Sequence, residues 1–456
     1  MPAYKTPGVF VEEISTLPPS VAEVSTAIPA FVGYTEKGPK IARISTLLEY
    51  EQLFGGPKSA LFTVATDSNG GITSVTRMAA ANTPAGSVPE FLMYYALSHY
   101  FKNGGGSCFI VSVGDYGMTP DKDDFTAGLA RLEQEDEPTL IILTDAVNLN
   151  TADYHALCQS ALTQCHKLGD RFSILDVKKN AQADTPDPDA FRSGIGTNYL
   201  AYGAAYYPYL ETSLSFSYAE SGVTIQIPAM DAAATATEVT LASIKSTKTG
   251  LYNQVKSQLA AQRVVLPPSA AVAGIYASVD RARGVGKAPA NVSVSSVIGP
   301  SAKISNEAQE GLNVEPTAGK SINAIRAFTG KGTLVWGART LAGNDNEWRF
   351  VSVRRLFNMI EESARKATAF AVFEPNDMTT WLKVKGTIES LLYSLWERGA
   401  LAGAKPESAY FVHVGLGKTM NAQDVLEGRM IVEIGVAAVR PAEFIVLRFT
   451  HKLQEG

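Results

Sequence analysis

The chain has 456 residues, 45% of them apolar and only 19% charged, with 40 basic residues against 45 acidic ones. It is long enough for about two to four domains and for several cores that need neither disulfides nor metals. Its near-cancelling charge argues against a protein whose main task is gripping nucleic acid, which needs a concentrated basic face; a charged share below the usual roughly 25% hints at surface covered by neighbours.

Cys108, Cys158 and Cys165 are too few for a disulfide framework and suit synthesis in a reducing compartment. The start, Met1 to Gly8, shows no basic segment followed by an apolar one, and no apolar run reaches the ~18–20 residues that span a bilayer. The expectation is a soluble protein made in the cytoplasm, with any later release by a route other than a cleaved signal.

The first residues read as an extended arm: Val9–Ile14 is β-prone, Pro18-Pro19 breaks it, and a strand follows at Ala30–Tyr34. Thr46-Leu-Leu-Glu49 is a capping-box pattern whose helix should stop before Gly55-Gly56. Residues 57–88, polar and rich in Gly, Ser, Thr and Ala, read as a surface insertion or long loop. From Pro89 helices and strands alternate. A helix capped by Ser87 ends at Gly104, then come strands at Cys108–Val113, Thr139–Thr144, Phe172–Asp176 and Tyr199–Ala205, with helices over 121–135 and 151–168. Such strands signal a parallel α/β sheet.

Residues 210–250 shift to Ser/Thr/Ala-rich alternation and read as a β decoration. Helices are expected over 250–262, from Pro267 to Arg283, over Val353–Phe370 and over Thr379–Ala400, with a short one near 421–427. Strands are expected near 322–328, 332–338, 409–414, 429–439 and 442–450. Both termini thus carry strands with no obvious partner nearby, an aggregation hazard unless the partner lies in another subunit.

No chemical motif is complete. Gly415-Leu-Gly-Lys-Thr419 has the tail of a phosphate-binding loop, but Val412 stands where its first glycine belongs; Gly284–Lys287 lacks the Ser/Thr, and Gly104–Gly106 precedes a strand rather than a helix. His155, Cys158, Cys165 and His166 share a helix, yet the cysteines belong to its apolar stripe and read as core. Glu361-Glu362 pairs most simply with Arg365-Lys366 one turn on. Arg349, Arg354 and Arg355 lie among Trp348, Phe350 and Phe357, which suits either a protein interface or an internal ion-pair network. No catalytic constellation, cofactor site or metal site emerges; the alternative to a structural polymer is a soluble α/β enzyme such as a hydrolase, resting on the alternation of 89–205 alone.

Several stretches in order resemble the tail sheath proteins of contractile phages and of phage-tail-like injection systems. They are Tyr4–Ile14, Phe31–Thr35, Val265–Tyr276, Asp280–Asn291, Val335–Leu341, Trp348–Phe357, Phe373–Asp377, Gly428–Gly435 and Arg440–Phe449. The resemblance implies an α/β protein with an α+β inner domain, an α/β subtilisin-like outer domain carrying a β-rich insertion, and extended N- and C-terminal strand arms. Mapped here, 1–20 is the N-terminal arm, 21–56 with 320–438 the inner domain, 57–319 the inserted outer part (α/β over 89–209, β-rich over 210–250), and 439–456 the C-terminal arm. Protease activity does not carry over, since no Asp/His/Ser motif accompanies the fold.

The resemblance further implies hexameric rings stacked helically around an inner tube, contraction on a baseplate signal, and baseplate and terminal cap proteins as partners. Nucleic-acid contact and membrane insertion are not expected. Strand arms that cross to neighbouring subunits map onto Val9, Phe10, Val11 and Ile14 and onto Phe444, Ile445, Val446, Leu447 and Phe449. Their partner strand maps onto Ile431, Val432 and Ile434. Tube-facing charge is expected at Lys383 and Lys385. The particle would be a virion tail or a tail-like particle that can be released from the cell.

Overall fold

The computed structural model describes residues 23–80, 83–84, 90–179, 187–228 and 237–446. The chain forms two compact units. The larger holds Ser25–Met359 and the described residues from Arg440 on; the smaller holds Ile360–Val439 and the described residues up to Val24.

In the larger unit the elements run β1 (Pro29–Thr35), β2 (Ile41–Ile44), α1 (Leu47–Phe54), β3 (Leu61–Thr66), β4 (Ile72–Ala80), β5 (Thr83–Pro84), α2 (Met93–Lys102), β6 (Cys108–Asp115), α3 (Lys122–Leu132), β7 (Leu140–Leu143), α4 (Thr151–Leu168) and β8 (Phe172–Asp176). They continue with α5 (Pro188–Gly194), β9 (Gly203–Tyr207), β10 (Leu210–Ser215), β11 (Val223–Ile227), β12 (Thr237–Thr240), α6 (Leu241–Ile244), α7 (Thr249–Ala261), β13 (Arg263–Leu266) and α8 (Ser269–Arg283). Then come β14 (Val292–Ser293), β15 (Val297–Pro300), α9 (Asn306–Asn313), β16 (Ile322–Phe328), β17 (Gly332–Val335) and the first half of α10 (Val351–Ala367).

A nine-stranded sheet, ordered β14-β17-β16-β9-β8-β7-β1-β6-β2, forms its centre. The run from β16 to β6 is parallel throughout. Alternation along β1 explains its central place. Ala30, Val32 and Tyr34 pack into the core under α3 and α4, while Phe31 enters the opposite core with Met93 and Tyr100 of α2 and Tyr276 of α8. Both faces are covered, as an all-parallel sheet requires.

The capping pattern at residue 46 behaves as expected at one end: Thr46 Oγ1 accepts the Glu49 amide, and Gly55, at φ 89°, ends α1. The Glu49 carboxylate, however, reaches past Thr46 to the Ser45 amide at 2.6 Å. Residues 57–88 depart from expectation. They carry β3, β4 and β5, which join β11 and β12 in a five-stranded sheet ordered β12-β11-β3-β4-β5. β3 pairs in parallel with β11, some 160 residues on, so no local pattern announces it. Phe62, Val64, Val223 and Ile225 of this sheet bury against Leu241, Tyr252, Val255 and Leu259 of α6 and α7.

Three further expectations are corrected. Leu200–Tyr202 is a 3-10 turn and the strand begins at Gly203. α2 begins at Met93 rather than near Ser87, which lies outside the described residues, and the amide of its N-cap Leu92 is accepted by Asp145 just past β7. β1 and β16, assigned from sequence to an inner domain, are strands of the same sheet as the 89–209 region, so the expected boundaries at 56/57 and 319/320 coincide with no division of the fold.

The smaller unit contains the second half of α10, then α11 (Met378–Glu397), α12 (Pro406–Ala409), β18 (Tyr410–Val414), α13 (Ala422–Leu426) and β19 (Val432–Val436). Asp377 caps α11 through the Thr380 amide, and α11, whose buried side is Val384, Ile388, Leu391, Leu392 and Leu395, packs against β18, which pairs with β19.

Candidate functional site

A parallel α/β sheet binds ligands where strand order reverses, outside the carboxyl ends of its strands. Here that place lies beside β1, which has β6 on one side and β7 on the other. It is filled by the protein itself. Asp145, two residues past β7, is fully buried; its carboxylate accepts the Tyr34 amide at 2.8 Å and the Leu92 amide at 2.6 Å. Asp176, ending β8, accepts the Ser269 amide and hydroxyl at the start of α8. Burial pushes both carboxyls up to about 7, while the donors pull them down. Each carboxylate sits at a helix N-terminus, where the backbone dipole favours negative charge. These are caps holding α2 and α8 to the sheet rather than an open catalytic crevice.

The motif fragments are likewise consumed in structure. In Gly415–Thr419 the amides of Lys418, Thr419 and Met420 all turn back onto the Gly415 carbonyl, and Thr419 Oγ1 donates to the Ile431 carbonyl at 2.6 Å, so the loop is a turn closing β18. Cys158 and Cys165 are buried in the core, where burial pushes their thiols up, and His166 stacks on Tyr199 at 4.0 Å. Arg354 and Arg355 are interior, which decides between the two readings of the arginine cluster. Arg354 lies 4.2 Å from the Trp348 ring centroid and bonds Asn358; Arg355 bonds Asp280. Glu362 pairs with Arg365 and Lys366, as expected.

What remains open is a sheet. Among the described residues β18 and β19 pair only with each other, in the register Tyr410↔Val436, Val412↔Ile434 and Val414↔Val432. A two-stranded sheet is marginal in water, and each outer edge presents unpaired amides and carbonyls to another strand. On its outer face Phe411 crosses Gly435, where any Cβ would meet the ring at 2.2 Å. Val432 and Ile434 are half-buried and Ile431 is 42% exposed.

The C-terminal segment shows the complementary feature. Phe444, Ile445 and Val446 are 71%, 80% and 76% exposed and carry no strand pairing, so the strand expected over 442–450 is absent from 442–446 of the single chain. Leu447 and Phe449, like Val9, Phe10, Val11 and Ile14, lie outside the described residues. Three consecutive exposed apolar residues are unfavourable to leave in water. On α11, Lys383 is exposed, whereas Lys385 is 3.5 Å from Glu389 one turn on.

Comparison with known proteins gives these open edges a context. Residues 343–452 match the family described as the phage tail sheath C-terminal domain. A tail sheath protein of Vibrio phage KVP40 is 26% identical over 129 residues, which are 28% of this chain and only 18% of that protein's length. Two solved structures cover almost everything. The anti-feeding prophage helical sheath in its contracted state is 32% identical, with a TM-score of 0.65, over 99% of this chain and 100% of that one. The sheath complex of the extracellular contractile injection system PVC, also contracted, is 29% identical, with a TM-score of 0.66, over 100% of this chain and 99% of that one. The chain belongs to the tail sheath family of contractile phage tails and injection systems.

In this sheath protein the contacts that sequence reasoning missed are polar ones made over long distances. Asp145 and Asp176 sit in no recognisable motif, and Arg339 and Glu443, though within stretches that resemble the family, carry no local sign that they pair. The sole local signal was position: Asp145 lies two residues past β7 and Asp176 is the last residue of β8, where a carboxylate can meet a helix start.

Proposed function

We propose that this chain is the structural subunit of a contractile sheath, stacked as hexameric rings in a helical array around an inner tube, and that its contraction drives the tube through a target envelope. The observation that carries this reading is the end-to-end likeness to a contracted helical sheath. A baseplate, whose anti-feeding prophage form also yields a match 32% identical over 99% of this chain, would trigger contraction, and a terminal cap would close the far end. No cofactor, nucleic acid or bilayer has a part in this work, and the chain acts as a building block rather than an enzyme. Among the described residues no helix is long and apolar enough to cross a membrane. The particle is a virion tail or a tail-like machine assembled in the cytoplasm and released from it.

Strand exchange links the subunits. The open edges of β18–β19, with Ile431, Val432 and Ile434 on the receiving strand, accept the arms of neighbours: Val9, Phe10, Val11 and Ile14 from one end, and Phe444 to Phe449 from the other. Each added main-chain hydrogen bond contributes a net ~0.5–1.5 kcal/mol, so a strand of about five bonds supplies only a few kcal/mol. Repetition at every subunit turns that modest linkage into a continuous mesh. Lys383, and more weakly the partly neutralised Lys385, face the tube through charge that can let go on contraction.

Negative-stain microscopy of the purified chain tests the reading: striated tubes or rings are expected, and a small monodisperse particle at high concentration would overturn it. Deleting Met1–Pro18 should leave a folded chain that forms no tubes. Normal tubes from that deletion would refute the role of the N-terminal arm.

A further inference from the structure

Near each end of the larger unit's described residues, at Thr26 and at Glu443, the chain is held by a buried arginine. At the N-terminal root the Thr26 hydroxyl donates to Asp280 at 2.6 Å, while the Thr26 carbonyl accepts from Arg355 Nη2 at 2.8 Å. Arg355 and Asp280 pair with each other, their side chains only 3% and 6% exposed. The guanidinium lies 4.6 Å from the ring centroid of Tyr276, whose hydroxyl meets that of Tyr206 at 2.7 Å. Tyr206 belongs to β9.

At the C-terminal root the Glu443 carboxylate takes two bonds from Arg339 Nε, at 2.9 and 3.2 Å, and a third from Nη2. Arg339 is held in turn from behind: its Nη1 donates to the carbonyls of Asn313 and Gly343, and its amide donates to Asn323 Oδ1 at 2.8 Å. Asn323 Nδ2 reaches the carbonyl of Ala205, again on β9. The two roots, more than 400 residues apart in sequence, are thus tied to adjacent residues of one central strand.

A strand added to a neighbour's sheet transmits load only if the chain beside it is fixed; a loose root lets the arm peel back residue by residue. A bidentate arginine–carboxylate pair is a directional fastening; Arg339 is buried, while the Glu443 side chain keeps 22% of its surface in water. We propose that Arg355 and Arg339 are the anchor residues of the two arms, holding Thr26 and Glu443 to Tyr206 and Ala205 of β9 so that tension in the inter-subunit mesh passes through the interior of each subunit. The proposal rests on the reading that the arms join neighbouring subunits.

Two mild variants of the full chain test it. Glu443→Gln removes the charge from the C-terminal root and keeps its shape. Thr26→Val removes one hydroxyl from the N-terminal root and leaves the Arg355–Asp280 pair intact. In dilute, unassembled chain each should melt within about 3 °C of the parent. In assembled material each should raise the concentration of free subunit left at equilibrium about tenfold. Polymers as tight as the parent's would overturn the proposal, and so would a melting drop well beyond that limit in the dilute chain, since the residue would then merely support the fold. A third chain lacking 447–456 separates the two readings. If it assembles normally the arm reading fails; if it does not assemble while Glu443→Gln and Thr26→Val behave as the parent, the anchors alone fail.

Discussion

Asp176 and Ser269 meet inside the protein from 93 positions apart, the Asp176 carboxylate accepting the Ser269 amide at 2.8 Å and its hydroxyl at 2.6 Å. Ser269 opens α8, and Pro268 before it has no side chain able to cap. The end of β8 therefore supplies the cap that the helix's own sequence lacks, and fastens α8 across the sheet. Asp176→Ala removes this cap and leaves a buried amide without an acceptor, so a loss of about 2–3 kcal/mol is expected in urea unfolding. Asp176→Asn, which keeps an acceptor oxygen, should lose less. Equal losses from both would show that the hydrogen bond is not what matters.

Acidity follows from the same groups. Burial raises Asp145 and Asp176 from the ordinary 3.8 to about 7. Between those values the folded protein holds protons that the unfolded chain has released. Their contribution to stability is complete below pH 4 and is lost as pH climbs through 7. The urea midpoint should be higher at pH 5.5 than at pH 8, and Asp145→Asn should flatten the difference. A midpoint that rises across this interval would contradict the assignment.

Gly33 makes the Asp145 contact possible. A Cβ at this position would lie 2.6 Å from Asp145 Oδ2 and 2.8 Å from Met93 Cε. Gly33→Ala must push the carboxylate off the Tyr34 amide or shift the start of α2. A destabilisation of about 1–3 kcal/mol is expected from overpacking, readable as a fall in melting temperature. Unchanged stability would mean that the cap has slack the geometry does not show.

Charge at the proposed tube face gives a separable outcome. Lys383 is exposed and the Lys385–Glu389 pair is surface-exposed, so reversing both lysines to glutamate should cost the fold under about 1 kcal/mol. Co-assembly with the tube protein should nevertheless weaken, seen as fewer extended particles and more empty or contracted sheath. Extended particles in normal number would remove these lysines from the tube contact.

Much of the architecture was legible because it is local. The runs Leu140–Leu143 and Phe172–Asp176 are too apolar to be anything but buried strands, and α4 matches its expected span of 151–168 residue for residue. Less visible were β3 and β4, because Thr, Ser and Gly dominate a hairpin whose partner β11 lies elsewhere in the chain. The arginine cluster at 349–355 also stayed ambiguous, since a buried guanidinium and an interfacial one occupy the same sequence setting until Asp280 and Tyr276 are seen beside Arg355.

The sequence by itself determined the alternation of helices and strands, the absence of any complete catalytic motif, the β-prone apolar runs near both ends, and, through ordered stretches, the resemblance to sheath proteins. Only the tertiary structure decided that β1 and β16 complete one sheet with the middle of the chain, that two buried aspartates at strand ends meet the starts of α2 and α8, and that Thr26 and Glu443 are linked through Arg355 and Arg339 to β9. The reason is physical: periodicity reports which face of an element is apolar, whereas a buried polar contact depends on two groups arriving within about 3 Å of each other, and that is fixed by sheet order and register over separations no local pattern encodes.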